Sequence, residues 1–123
     1  MKKIIGALLF LVASASHAGH LDVISFTLSE DCSLAKYLEI VNDFNAWGEA
    51  YGYQTEIAVP TFSDNQETLY WLGRSANGEA FGKAHDAWEG ALGNAGSVPA
   101  QLMARFGECG NGNDTRRAYR TFP

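Results

Sequence analysis

Few side chains in this chain have the type and setting to do chemistry. The histidines are His17, His20 and His85. Only His85 lies inside a segment of strong helical periodicity, "GEAFGKAHDAWEGAL". A neutral imidazole there could serve as general acid, general base or metal ligand near neutral pH. His85 and Glu89 stand one helical turn apart, but two donors fall short of a metal centre, so no metal is expected. His20 would lie beside a new amino terminus if a leader were removed. It could then hold copper(II) weakly with the free amine, although an unstructured terminus is the expectation. Serine, histidine and aspartate occur singly, without a spacing that assembles a triad. The glycines of "GNAG" and "CGNG" follow no strand-to-helix pattern aimed at phosphate. Catalytic residues are therefore unassigned beyond His85 as a candidate.

Cys32 and Cys109 are the two cysteines. They match no Cys-x-x-Cys redox motif, and their number suggests a structural disulfide in an oxidising compartment. The amino terminus points to such a compartment. Lys2 and Lys3 precede an apolar run too short to span a bilayer, and Ser16-His17-Ala18 offers small residues for cleavage. Residues 1–18 are thus expected to be a signal peptide, cut after Ala18 or, as a second choice, after Ala15. Residues 19–123 would form one domain, periplasmic or secreted. Beyond Ala18, seven Lys/Arg face 14 Asp/Glu, a net charge of −7. That balance argues against nucleic acid and anionic membranes as partners. The exception is Arg116, Arg117 and Arg120, read either as a solvated edge-strand face or as an anion site.

The elements that must position these residues follow from periodicity. Leu21 to Leu28 alternates as a strand, with Ile24, Phe26 and Leu28 on one face. From Cys32 or Ser33 to Tyr51 the spacing is helical, with a wide apolar side that includes Leu34, Leu38, Val41 and Phe44, and Gly52 is placed to end it. Asn45 points from this helix towards the core, as a satisfied buried amide or a cavity-lining group. Tyr53 to Phe62 reads as a second strand, demoted at its far end by Pro60. After a turn at 63–66, Thr68 to Gly73 returns as a third. That strand is apolar on both faces, Leu69 and Trp71 against Tyr70 and Leu72, and needs cover on both. The His85 helix follows, with Phe81, Trp88 and Leu92 as its stripe. A short helix from Ser97 to about Phe106, a loop over 107–113 holding Cys109, and an edge strand from Arg116 to Phe122 complete the chain.

The succession β-α-β-β-α-β is the split-βαβ, ferredoxin-like α+β plan: an antiparallel sheet in order 4-1-3-2 with two helices on one face. In that order, the end of strand one and the start of strand four share a sheet edge, which suits a Cys32–Cys109 bridge. With Tyr70-Trp71, Ser75 to Asn77 and "EAFGKAH", the chain resembles the dimeric α+β-barrel superfamily, which includes antibiotic-biosynthesis-monooxygenase-like and NIPSNAP-like domains. The resemblance implies a homodimer in which helix-free sheet faces pack together, covering the second face of strand three. Haem-degrading members of that superfamily carry a helix-two histidine as iron ligand, in a context to which "AFGKAH" is similar, and this implies His85 as a candidate axial ligand. Their tryptophan on the same helix and asparagine in strand one have no counterpart here. No cofactor is the expectation, with haem as the alternative.

Three functions compete. The first is an exported dimer that binds a small apolar or aromatic ligand between sheet and helices, with Trp47, Trp71 and Trp88 as walls and Asn45 and His85 as polar groups. The second is a cofactor-free monooxygenase-like or haem-binding enzyme that uses His85. The third is a structural or interaction protein without a ligand.

Overall fold

A computed structural model describes residues 19–123. The expected signal peptide, residues 1–18, lies outside the described residues. The chain forms β1 (Gly19–Leu28), α1 (Leu34–Gly48), a single 3-10 turn (Glu49–Tyr51), β2 (Gln54–Ala58), β3 (Leu69–Ser75), α2 (Gly78–Leu92), α3 (Val98–Cys109) and β4 (Gly110–Thr121). The four strands make one antiparallel sheet in the order β2-β3-β1-β4. This is the ferredoxin-like order, with a third helix inserted before the last strand.

Local chemistry sets most of the boundaries. The side chains of Ser33, Asn77 and Ser97 each accept a hydrogen bond from the backbone N–H three residues on, capping α1, α2 and α3. Pro99 sits in the first turn of α3, where its missing N–H costs nothing. The 3-10 turn after α1 stops at Gly52, in the left-handed region at φ 67°.

Strand pairing fixes the two faces of the sheet. Ile24 is registered with Trp71 and Phe26 with Leu69. By alternation these side chains point to the helices, where they meet Tyr37, Ile40, Val41, Phe44 and Leu102 in the core. The opposite face presents Val23 beside Leu72 and Ser25 beside Tyr70. Along α1 the buried line runs through Tyr37, Ile40, Val41, Phe44 and Gly48. Leu38, expected on the apolar stripe, lies outside it and is exposed, because the helix turns Ile40 rather than Leu38 towards the sheet.

Four sequence expectations are corrected. β2 ends at Ala58, short of Phe62, because Pro60 has no N–H for a ladder. The residues expected to be loop before β4 are not loop. α3 runs on through Cys109, and β4 begins at Gly110, where it pairs with Leu28 across a bulged register. His20 belongs to no unstructured terminus: it is registered with Ser75 and Arg120 in the sheet and stacks on Phe81 at 4.3 Å. The helical layer holds three helices rather than two.

Cys32 and Cys109 form a disulfide with Cα atoms 4.9 Å apart. It ties the segment after β1 to the α3–β4 junction. Beside it, Ser29 N–H donates to the Cys109 carbonyl at 2.9 Å. Closing 77 residues of chain removes unfolded-state entropy on the order of 4 kcal/mol. Among the described residues no helix is long and apolar enough to cross a membrane.

Candidate functional site

Between the sheet and the helices lies a cavity of about 460 Å³. β1 and β3 form its floor through Ile24, Phe26 and Trp71, and α1, α2 and α3 supply Phe44, Trp88 and Phe106. The aromatic rings are mutually arranged around Phe44. Its centroid lies 4.8 Å from Trp71, 5.3 Å from Trp88 and 5.8 Å from Trp47, in tilted or edge-on geometries that aromatic quadrupoles favour. Trp47 and Trp88 stand 5.2 Å apart. A wall of this kind supplies dispersion contact to a flat apolar guest and leaves orientation to a few polar groups.

Those groups collect at one end. Asp22 occupies an inward-facing position of β1, in phase with Ile24 and Phe26, and is 1% exposed. A charge so buried must be paired. Its Oδ1 accepts from Arg116 Nε at 3.0 Å, and its Oδ2 accepts from Arg116 Nη2 at 2.8 Å and from the Tyr53 hydroxyl at 3.0 Å. The Tyr53 oxygen in turn accepts from Trp71 Nε1 at 2.8 Å. The chain Trp71–Tyr53–Asp22–Arg116 therefore links β3, the residue that precedes β2, β1 and β4. Burial, reinforced by the Asp22 charge, raises the Tyr53 pKa well above the ordinary phenol value, so its proton stays on. The hydrogen bond to Asp22 raises that of Arg116 further above an already high value.

Gly73 makes this arrangement possible. A Cβ built there would stand 1.8 Å from the Tyr53 hydroxyl oxygen, so the phenol ring occupies the space that any other residue would fill.

Of the residues singled out from sequence, Trp47, Trp71, Trp88 and His85 all line the cavity. The Trp71 N–H is committed to Tyr53. His85 stands at the rim, 38% exposed, with Nε2 3.7 Å from Glu89 Oε1 and its ring 5.9 Å from Phe81. Asn45 is placed elsewhere. Its Nδ2 donates to the Thr55 carbonyl at 2.9 Å and its Oδ1 accepts from Thr55 N–H at 2.8 Å, so this amide splices α1 to β2 and does not line the cavity. Sequence reasoning missed Asp22, Tyr53 and Arg116 as a set. The signal available was the phase of Asp22: an acid at an inward position of a strand requires a cation from a neighbouring element. No group of three or more potential metal donors exists among the described residues.

The architecture is that of a ferredoxin-like α+β domain with a hollow helix–sheet interface. No protein-family model matches the chain, and no curated protein matches it by sequence. Solved structures are similar to it in fold. A protein from Shewanella oneidensis aligns with TM-score 0.54 at 13% identity, over 86% of this chain and 93% of that one. A dimeric ferredoxin-like protein of unknown function from Thermobifida fusca aligns with TM-score 0.50 at 9% identity, over 87% and 92%.

Proposed function

We propose that this chain is an exported, homodimeric α+β-barrel protein, of the kind that includes antibiotic-biosynthesis-monooxygenase-like and NIPSNAP-like domains, and that it binds a small aromatic or apolar molecule between its sheet and helices. The observation that carries the binding function is the cavity of about 460 Å³, walled by Trp47, Trp71 and Trp88 and closed at one end by the Asp22–Arg116 pair. It has the composition of a ligand site: apolar walls and a few convergent polar groups. Export is supported by the Cys32–Cys109 bridge and by the signal-like first 18 residues.

All three tryptophans of the chain line the cavity, so a guest must alter their emission. Titration with the neutral aromatic 1-naphthaleneacetamide should quench intrinsic fluorescence saturably, and isothermal calorimetry should return the same affinity. Haem, the other ligand that the family resemblance raises, belongs in the same series. Failure of the neutral aromatic, its acid and haem all to bind would leave a scaffold without a ligand. An enzymatic role for His85 has its own test, because full activity of His85→Ala towards a turned-over ligand would remove it.

A further inference from the structure

The three arginines near the carboxyl end stand out in a chain whose other charges are mostly acidic. Arg116, Arg117 and Arg120 are three of the seven Lys/Arg beyond residue 18, and all lie on β4. Arg116 reaches the polar end of the cavity, and Arg117 lines the depression that adjoins it beside His85 and Phe81. Arg120, four residues along the strand from Arg116, shares its face by alternation and is registered with His20.

Arg116 has two of its five N–H donors in use. Asp22 takes the side edge of the guanidinium, Nε with Nη2. The end edge, formed by Nη1 and the second N–H of Nη2, has no hydrogen-bond partner among the described residues. The side chain is 46% exposed, and its guanidinium carbon lies 5.9 Å from the Phe81 ring centroid. Asp22 and Phe81 thus hold the plane fixed while one fork stays open. Such a fork matches the two oxygens of a carboxylate. Its neighbours Asp22 and Tyr53 are already satisfied by one another and do not compete for a guest.

We infer that the ligand is a small aromatic monocarboxylate, with its ring among Phe44, Trp47, Trp71 and Trp88 and its carboxylate on the open edge of Arg116. Arg116 is the one Lys or Arg among the residues that line the cavity, so its open edge is where an anionic group of the guest would be met. The inference rests on the cavity being a ligand site and adds the charge and position of the polar group.

The experiment compares 1-naphthaleneacetate with its neutral counterpart 1-naphthaleneacetamide and with the cation 1-naphthylmethylamine, by calorimetry on the full exported chain. The acid should bind about tenfold more tightly than the amide, the difference expected between charge-assisted and neutral hydrogen bonds. That margin should shrink as salt is raised. Arg116→Lys keeps a cation beside Asp22 but removes the fork; with folding checked by circular dichroism, the acid-over-amide margin should collapse. Equal affinity for acid and amide, tighter binding of the amine, or an undiminished margin in Arg116→Lys would each overturn the inference and leave the cavity reading standing. Binding by none of the three probes, and none by haem, would overturn both.

Discussion

Asp22 is a charge where a strand of this kind ordinarily places hydrocarbon, and the fold spends one residue on each of three other strands or their flanks to satisfy it. Arg116 neutralises it, Tyr53 supplies a third donor, and Trp71 satisfies Tyr53 in turn. Removing one member of such a network leaves the others buried and unpaired, which is where the large penalties arise. Buried phenols also make the domain sensitive to alkali. Burial raises the pKa of both Tyr37 and Tyr53 well above the ordinary 10.0. The unfolded chain therefore releases these protons first. The stability that neutral phenols contribute is complete below about pH 10 and is lost as pH rises through the higher folded values. Thermal midpoints followed by circular dichroism should fall steeply above about pH 10, and Tyr37→Phe should show a shallower fall. Parallel alkaline limbs in the two proteins would show that Tyr37 ionises alike in both states.

At the scale of elements, the site depends on how closely β3 and the β2 entrance approach. Tyr53 can reach Asp22 only across a residue without a side chain, and Gly73 is registered opposite both Asp22 and Thr55 at that crossing. In Gly73→Ala the new methyl must displace the phenol, breaking its bonds to Asp22 and Trp71. Overpacking plus unpaired buried donors should cost about 2–4 kcal/mol in urea unfolding. In a Tyr53→Leu background the same substitution should cost far less; equal costs in both backgrounds would mean that the strands separate by another route. Much at this level was legible beforehand. Helix starts fall at or beside residues suited to capping, Gly52 ends the first helical stretch, and the two-sided apolarity of 69–72 identifies the central strand. The start of β4 was not legible, because Gly110 to Thr115 carries glycine and polar residues and no alternation. Its pairing comes from β1, whose Ser25 hydroxyl lies 2.7 Å from that of Thr115 and accepts its N–H. Asn45 could be read two ways from its angle, and only the position of Thr55 distinguishes them. The Asp22–Tyr53–Arg116 set draws on residues up to 94 positions apart, a distance over which periodicity carries no information.

At the scale of the molecule, the sheet has one face under the helices and one without them. Register and alternation place Val23 and Leu72 side by side near the centre of the open face, with Leu21 beside Tyr119 and Ala58 beside Tyr70 at its flanks. Tyr70 and Tyr119 are 40% and 47% exposed. An open sheet face so constituted gains free energy by being covered, at roughly 25 cal/mol per Å² of apolar area removed from water. We propose that a second copy provides the cover. The two flanking charged groups, Arg74 paired with Glu56 at the β2 edge and Arg117 on β4, would then form a polar rim about an apolar centre, the usual anatomy of an interface. Light scattering at micromolar concentration should return twice the mass of a single chain. Leu72→Lys places a charge at the centre of the face without touching the core beneath it. It should give a monomer with unchanged far-ultraviolet circular dichroism. The Asp22–Arg116 cluster and the aromatic cavity lie on the other side of the sheet, so ligand affinity in Leu72→Lys should stay within about threefold of the parent, as expected for sites with no shared contacts. A wild-type chain that is strictly monomeric would remove the dimer, and a Leu72→Lys protein that remains dimeric would move the interface to another surface.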